Sequence, residues 1–246
     1  MPKQRRVERP AQLPSIPFTS VGAMLWRSLA VYFQNFGFIM RITLLGYAPL
    51  KFAVFLTCQL AGVSPGGVAA SVIRDFGDGI LGALVAPAVI YGIVTKLRTG
   101  DLPSTGDCLR RGRKLWWKTL WNDIKAEITV GLRLALFIVP GLIAAVRLCF
   151  VEPVVAIEGE TQSEVLARSR EISAGHGWKI FFAGLPAVAM GFLNEWFLFS
   201  IMERLGLSWM LAAVIDCLMA IAGQWTTILV TLMYLALASK QERDAP

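Results

Sequence analysis

Four long apolar segments constrain this chain more than any other feature of its sequence. They cover residues 36–60, 77–95, 134–147 and 180–238, and a Pro140-Gly141 pair interrupts the third. A helix needs about 20 apolar residues to cross the hydrocarbon core of a bilayer. Water-soluble domains do not carry so many apolar runs of this length. The sequence therefore predicts an all-α fold, a polytopic bundle of transmembrane helices.

The composition is typical of a membrane protein with basic loops. Hydrophobic residues make up 55% of the chain and charged residues only 17%, whereas a soluble domain has about 25% charged residues. The net charge of +7 comes from Lys and Arg beside the apolar segments, where anionic lipid headgroups would meet them. A nucleic-acid-binding protein would carry its basic face on a soluble module. We therefore predict anionic membrane lipids as partners and no nucleic acid.

The cysteines and the single histidine indicate neither a metal site nor a disulfide framework. Cys58, Cys108, Cys149 and Cys217 are scattered along the chain without the spacing of metal ligands. His176 cannot hold a metal by itself. We therefore predict no metal and no cofactor.

The two ends of the chain differ in composition from the part between them. Residues 1–17 are basic and proline-rich and lack the features of a cleavable signal peptide, so we expect a flexible cytoplasmic tail there. Residues 18–239 are expected to form one transmembrane domain, and residues 240–246 a short cytoplasmic tail.

The number of membrane crossings depends on residues 120–157. As one kinked helix this segment gives five crossings, and as a hairpin folded at Pro140-Gly141 it gives six. Lys and Arg concentrate in cytoplasmic loops, and the six-helix arrangement leaves only Arg74 and Arg204 in outer loops. We therefore predict about six helices in a bacterial inner membrane, with both termini cytoplasmic. An alternative for the short fourth helix, 142–157, is a re-entrant half-helix buried in protein.

Three similar amphipathic segments precede the three predicted helix pairs. They cover residues 18–36, 103–120 and 163–178, and they contain Leu25-Trp-Arg27-Ser28, Leu109-Arg-Arg111 and Leu166-Ala-Arg168-Ser169. Each has apolar residues at helical spacing and basic residues opposite, as in helices that lie in the membrane interface. One interpretation is three copies of a unit made of an interfacial helix and a helical hairpin. The other is that any cytoplasmic segment before a membrane helix looks amphipathic and basic.

The third of these segments and the residues before it carry a family resemblance. The runs Ile138-Val-Pro140-Gly141, Glu152-Pro-Val-Val-Ala-Ile-Glu158-Gly159 and 164–181 resemble the glycerophosphoryl diester phosphodiesterase membrane-domain family and its YciC-like relatives. The resemblance implies a polytopic inner-membrane protein of about six helices. Some members are fused to a soluble phosphodiesterase domain, but this chain lacks the histidines and clustered carboxylates that such chemistry needs.

Six charged residues fall inside predicted membrane helices. A charge is costly to place in the hydrocarbon core of a bilayer, so such residues are candidates for a functional role. In the six-helix arrangement all of them lie roughly 8–15 Å below the outer surface; they are Lys51, Arg133, Arg147, Glu152, Glu195 and Asp216. One interpretation is a polar cavity in the outer half of the bundle that binds a charged headgroup. The other is a set of ion pairs that lock the helices together, with Lys51 and Arg133 reaching outward to the interface.

A second set of residues is expected to meet lipid headgroups at the inner interface. This set comprises Arg27, Arg111, Arg113, Lys114, Trp116, Trp117, Arg168, His176 and Trp178. Tryptophan anchors helices at the level of the headgroups. Arg168 is expected either to bind a lipid phosphate or to pair with Glu158, and Gly175 is expected to end the third amphipathic helix.

These features lead to two hypotheses about function. The first is a non-enzymatic inner-membrane protein that organises lipid or a membrane protein complex at the cytoplasmic leaflet, with another membrane protein or a second copy of the chain as candidate partner. The alternative is a transporter or lipid-handling permease with a polar site in the outer half of the bundle. No nucleophile elbow, metalloprotease motif or phosphate-binding glycine loop favours an enzyme.

Overall fold

Helices account for nearly all of the chain that the computed structural model describes, which is residues 20–62, 68–159, 164–205 and 208–244. No strand occurs within these ranges. The helices are α1 (Val21–Gln34), α2 (Phe36–Leu60), α3 (Val68–Thr99), α4 (Thr105–Leu136), α5 (Ile138–Leu148), α6 (Val151–Glu158), α7 (Val165–Ser173), α8 (Gly177–Leu205) and α9 (Trp209–Asp244). The predicted all-α fold is confirmed. The predicted flexible tail at 1–17 lies outside the described residues. The predicted C-terminal tail at 240–246 is instead helical through residue 244, because α9 continues to that point.

Within the described ranges, four helical stretches are long and apolar enough to cross a membrane. They are Phe36–Leu60, Val72–Thr99, Ile138–Glu158 and Trp209–Gln241. The apolar part of α8, Gly177–Leu193, is shorter. The second half of α4, predicted as the third crossing, does not qualify because it carries Asp123, Lys125, Glu127 and Arg133. The chain has the build of a helical membrane protein, but the predicted count of six is not exact.

The first amphipathic segment forms a helix of its own, as predicted. The Ser20 hydroxyl caps α1 by accepting a hydrogen bond from the Ala23 amide. Asn35 separates α1 from α2, and its side chain donates to the Val31 carbonyl. The buried face of α1 includes Met24 and Tyr32, so its apolar stripe packs against the bundle rather than lying free.

Helices α2 and α3 form an antiparallel hairpin with close contacts at glycines. A Cβ added at Gly92 would lie 2.1 Å from Phe38 Cζ, and one added at Gly46 would lie 2.3 Å from Val85 Cγ2. A side chain at either position would have to displace Phe38 or Val85, so glycine lets the two helices approach closely. The hairpin thereby sets side chains of α2 opposite those of α3 in a fixed register.

The second amphipathic segment is not a separate helix, in contrast to the prediction. It is the first half of α4, which begins at the N-cap Ser104 and continues without a break. The sequence around 118–121 offers no glycine or proline to interrupt it. Gly112 also holds this half against α3, because a Cβ there would lie 2.3 Å from the Leu84 carbonyl oxygen.

The chain reverses between α4 and α5, so residues 120–157 fold as a hairpin and not as one kinked helix. Of the two crossings predicted for this hairpin, only Ile138–Glu158 is long and apolar enough within the described residues. The reversal lies at Phe137, whose backbone is extended, rather than at Pro140-Gly141. Pro140 is tolerated in the first turn of α5, where backbone N–H groups have no helical partner. Gly141 lets α5 approach α4, since a Cβ there would lie 2.4 Å from Leu134 Cγ.

The third amphipathic segment forms the short helix α7, bounded by two glycines with positive φ. Gly159 (φ 59°) ends α6, and Gly175 (φ 74°) lies between α7 and α8. Such a backbone conformation is open to glycine and strained for other residues. The predicted end of this helix near Gly175 is confirmed.

The main hydrophobic core includes residues of α3, α4, α6 and α9. Ile90, Leu115, Val154 and Leu232 are almost completely buried there. Large apolar side chains are exposed elsewhere, notably on α5 and along α8. Exposed apolar surface of this extent is expected where a helix faces lipid.

Candidate functional site

The most deeply buried charges join three helices in one ion-paired cluster. Lys51 of α2 places its Nζ 2.9 Å from Asp78 Oδ2 of α3 and 2.7 Å from Asp216 Oδ2 of α9. The side chains of Lys51 and Asp216 are each 3% exposed, whereas that of Asp78 is 37% exposed. We call these three residues the ion triad. It has one side open to its surroundings and two members sealed between helices.

The surroundings of the ion triad are aromatic and basic. Lys51 Nζ lies 5.5 Å from the centre of the Tyr47 ring, a distance typical of a cation–π contact. The buried Arg74 also lines a small cavity of about 10 Å³ beside the triad, close to the space that one water molecule needs. The triad therefore has neighbouring polar groups but no room for a large ligand.

Five of the six intramembrane charges singled out from the sequence have described side chains, and two of these five form an ion pair with each other. Lys51 and Asp216 pair directly, whereas Arg133 and Arg147 are exposed and Glu152 is half-buried. Glu195 lies in α8, and its side chain falls outside the described part of the chain. Lys51 is buried in an ion pair and does not reach outward as the sequence allowed.

Asp78 is the member of the ion triad that the sequence analysis missed. Asp78 follows Arg74 and Asp75 closely in the sequence, so the three residues have the pattern of charges in an outer loop. The spacing of Lys51 and Asp78 could nevertheless have indicated that they pair. Lys51 precedes the end of α2 by about nine residues, and Asp78 follows the start of α3 by about ten. In an antiparallel hairpin such positions lie side by side.

A larger cavity lies on the basic face of α4. It has a volume of about 590 Å³ and is lined by Tyr91, Pro103, Asp107, Arg110, Arg111, Arg113 and Lys114. We call it the α4 cavity. Its acidic residue, Asp107, pairs with Arg110 and accepts a hydrogen bond from the Ser104 hydroxyl. The Nε atom of Arg111 is buried and has no hydrogen-bond partner within the described residues.

The tryptophans beside the α4 cavity have two different environments. Trp116 turns inward and donates from Nε1 to the Ile80 carbonyl at 2.8 Å, so it is a helix-packing residue more than the interfacial anchor that the sequence suggested. Trp117 and Trp121 are exposed, as is Trp178 at the start of α8. Exposed tryptophans of this kind are typical of the headgroup region.

The residues of the family-like motif form a network between α6, α7 and α9. Arg168 donates from Nε to Glu158 Oε1 and from Nη1 to Glu171 Oε2, each at 3.0 Å. The Tyr234 hydroxyl donates to the same Glu158 oxygen at 2.6 Å. Burial lowers the pKa of Arg168, but the hydrogen bonds with Glu158 and Glu171 outweigh it, so that the net pKa is raised. Of the two roles expected for Arg168, the structure shows the pairing.

The remaining interfacial candidates lie apart from this network. Arg27 is exposed on α1, and Arg113 and Lys114 are exposed on α4. His176 is half-buried, with its Nδ1 at 3.0 Å from the Ala174 carbonyl oxygen. Across the described ranges, the His, Cys, Asp and Glu side chains form no group that could hold a metal ion.

Comparison of the chain with family models, with curated proteins and with solved structures finds no match in any of the three. The resemblance to the phosphodiesterase membrane-domain family therefore stays a prediction. Three features of the structure bear on function: the ion triad, the α4 cavity and the Arg168 network.

Proposed function

We propose that this chain is a non-enzymatic membrane protein that binds anionic lipid through the α4 cavity. The proposal places it in a bacterial inner membrane, with the cavity at the cytoplasmic leaflet, where it organises lipid or a membrane protein complex. The single observation that carries the proposal is the concentration of four basic side chains, Arg110, Arg111, Arg113 and Lys114, around one cavity of about 590 Å³.

The chemistry of this cavity suits a phosphate-bearing headgroup. Guanidinium groups donate paired hydrogen bonds to phosphate oxygens, and each Lys or Arg near an anionic surface contributes about 1 kcal/mol of attraction. The exposed Trp117 and Trp121 follow on the same helix, within reach of the glycerol and acyl regions of a lipid whose phosphate sits in the cavity.

Lipid retention tests this proposal. The purified full chain is equilibrated in detergent micelles holding equal amounts of phosphatidylglycerol and phosphatidylcholine, and the lipid retained per protein is counted by mass spectrometry. We expect wild type to retain phosphatidylglycerol preferentially and the double variant Arg113→Gln with Lys114→Gln to lose most of that preference. Arg98→Gln with Arg170→Gln removes the same charge from exposed residues that do not line the cavity and should behave as wild type. Equal retention of both lipids by wild type would overturn the proposal.

The ion triad favours a second candidate, a transporter or lipid-handling permease. Charged residues inside membrane helices often mark the pathway of a transported ion or substrate. The partial exposure of Asp78 leaves one side of the ion triad open to its surroundings. Substrate flux in proteoliposomes that is abolished by Asp216→Asn or Glu195→Gln, with the protein still folded, would decide for this candidate. Loss of folded protein in the Asp216 variant would mark the triad as a structural lock.

A further inference from the structure

In each of the three amphipathic segments, a small residue lies at the contact between that segment and a neighbouring helix. Ser28, Gly112 and Ser169 each follow directly after an arginine, namely Arg27, Arg111 and Arg168. All three small residues are buried. Each lies where its helix touches a helix of the preceding pair, which makes the three segments comparable in structure as well as in sequence.

The contacts close into a ring of three units, α1–α3, α4–α6 and α7–α9. Ser28 of α1 accepts a hydrogen bond from Trp225 Nε1 of α9 at 2.8 Å. Gly112 of α4 abuts the backbone of α3 at Leu84. Ser169 of α7 donates to the Arg147 carbonyl of α5 at 2.9 Å. The first helix of each unit therefore packs on the unit before it.

In the third unit the arginine of this motif is neutralised from within the protein. Arg168 is paired with Glu158, near the end of the preceding unit, and with Glu171, three residues further along its own helix. Two carboxylates thus compensate the positive charge of one partly buried guanidinium, which would be costly to bury without a partner.

In the second unit the carboxylate after the arginine is replaced, and Asp101, which stands ten residues before Arg111 as Glu158 stands before Arg168, is exposed between α3 and α4. The residue three positions after Arg111 is Lys114, a cation where Glu171 stands in the third unit. The preceding helix, α3, carries no Asp or Glu from Gly79 to Thr99. Gly159 approaches from the other side, and a Cβ there would lie 3.0 Å from Arg111 Nη2. Among the described residues, the one carboxylate that lines the α4 cavity, Asp107, pairs with Arg110, and the buried Arg111 Nε has no hydrogen-bond partner.

We infer that the α4 cavity holds one phosphate group on Arg111, in the place that Glu158 and Glu171 take on Arg168. This inference rests on the proposed lipid function and narrows it, because it assigns the recognition to a single guanidinium and to the phosphate rather than to the acyl chains. A lipid headgroup and a free phosphate share this chemistry. The neighbouring cations Arg113 and Lys114 then serve to attract the anion, and the Arg111 fork holds it.

The experiment introduces a carboxylate beside Arg111, at the position where Glu171 stands beside Arg168. In K114E the new side chain stands three residues from Arg111, as Glu171 does from Arg168, and it should pair with the guanidinium and exclude the anion. We expect K114E and R111Q to reduce phosphate-group binding by about tenfold or more, since a hydrogen bond to a charged group is lost. R98E makes the same change of charge at another exposed residue and should bind as wild type does.

Two measurements separate the sources of the phosphate. The first is the shift in melting temperature of the detergent-solubilised full chain in inorganic phosphate, against chloride at matched ionic strength. The second is retention of phosphatidylglycerol in nanodiscs made with phosphatidylcholine. A K114E-sensitive response to inorganic phosphate assigns a free phosphate site, and one confined to the lipid assigns a headgroup site.

The inference fails if K114E and R98E behave alike in both measurements while each variant melts near the wild-type temperature. That failure differs from failure of the proposed function, in which wild type shows no preference for phosphatidylglycerol at all. A preference that survives K114E would leave lipid binding in place and remove Arg111 as its centre.

Discussion

At the scale of single residues, the ion triad is the feature with the largest energetic consequence. Lys51 and Asp216 are both almost completely buried, and separating such a pair leaves a charge without compensation. Removing one partner of a buried ion pair typically costs about 3–5 kcal/mol. The triad therefore ties α2 and α9 together whether or not it also has a role in transport.

We predict that Lys51→Met lowers the free energy of unfolding by about 3–5 kcal/mol, measured by reversible denaturation of the protein in mixed micelles. Arg41→Met is the matched control, because it removes a cation from an exposed position on the same helix and should cost less than about 1 kcal/mol. Adding Asp216→Asn to the Lys51 variant should recover part of the loss. Equal stability of the two single variants would show that the triad does not stabilise the bundle.

At the scale of helices, glycine decides how closely neighbours pack. Gly141 is a clear case, since a Cβ there would meet both the side chain of Leu134 and its Cα, the latter at 2.7 Å. A side chain can rotate away from such a contact, but the backbone of α4 cannot. Glycine at position 141 therefore lets α5 approach α4 closely at this point.

We predict that Gly141→Ala destabilises the protein by about 1–3 kcal/mol, the usual range for overpacking. Gly131→Ala is the control within α4, where nothing lies within 4 Å of the added Cβ. It should be neutral or stabilising by up to about 1 kcal/mol, because alanine favours helix. Thermal unfolding of both variants gives the comparison, and a Gly141 variant as stable as the Gly131 variant would contradict the close hairpin.

At the scale of the whole molecule, the reversal at Phe137 determines the orientation of everything after it. If α4 and α5 fold back on one another, the loop after α6 lies on the same side as the loop before α4. The basic residues near α7 then face the same compartment as those of the α4 cavity, in agreement with the bias of Lys and Arg toward the cytoplasm.

We predict that a single cysteine at Ser163, in a variant without the four native cysteines, reacts with a membrane-impermeant maleimide only in inverted membrane vesicles. A cysteine introduced at Thr105, before the α4 cavity, should give the same pattern. Labelling of the Ser163 variant in intact spheroplasts would place that loop outside and exclude a shared cytoplasmic face for the two segments.

The sequence alone determined that this chain is all-helical and built to span a membrane, because the length and periodicity of apolar runs are local properties. The positions of α1, α2, α7 and α9 follow from the same local signals, and so does the end at Gly175. The direction change between residues 120 and 157 was also predicted, from the distribution of basic residues rather than from packing.

Only the tertiary structure decided which charges meet. Lys51 and Asp216 are 165 residues apart in the chain, and no local pattern relates them. The reversal at Phe137 instead of Pro140 was likewise decided by the packing of α5 on α4. Ion pairing and close packing depend on the register of distant segments, and the free energy that fixes this register comes from the assembled bundle.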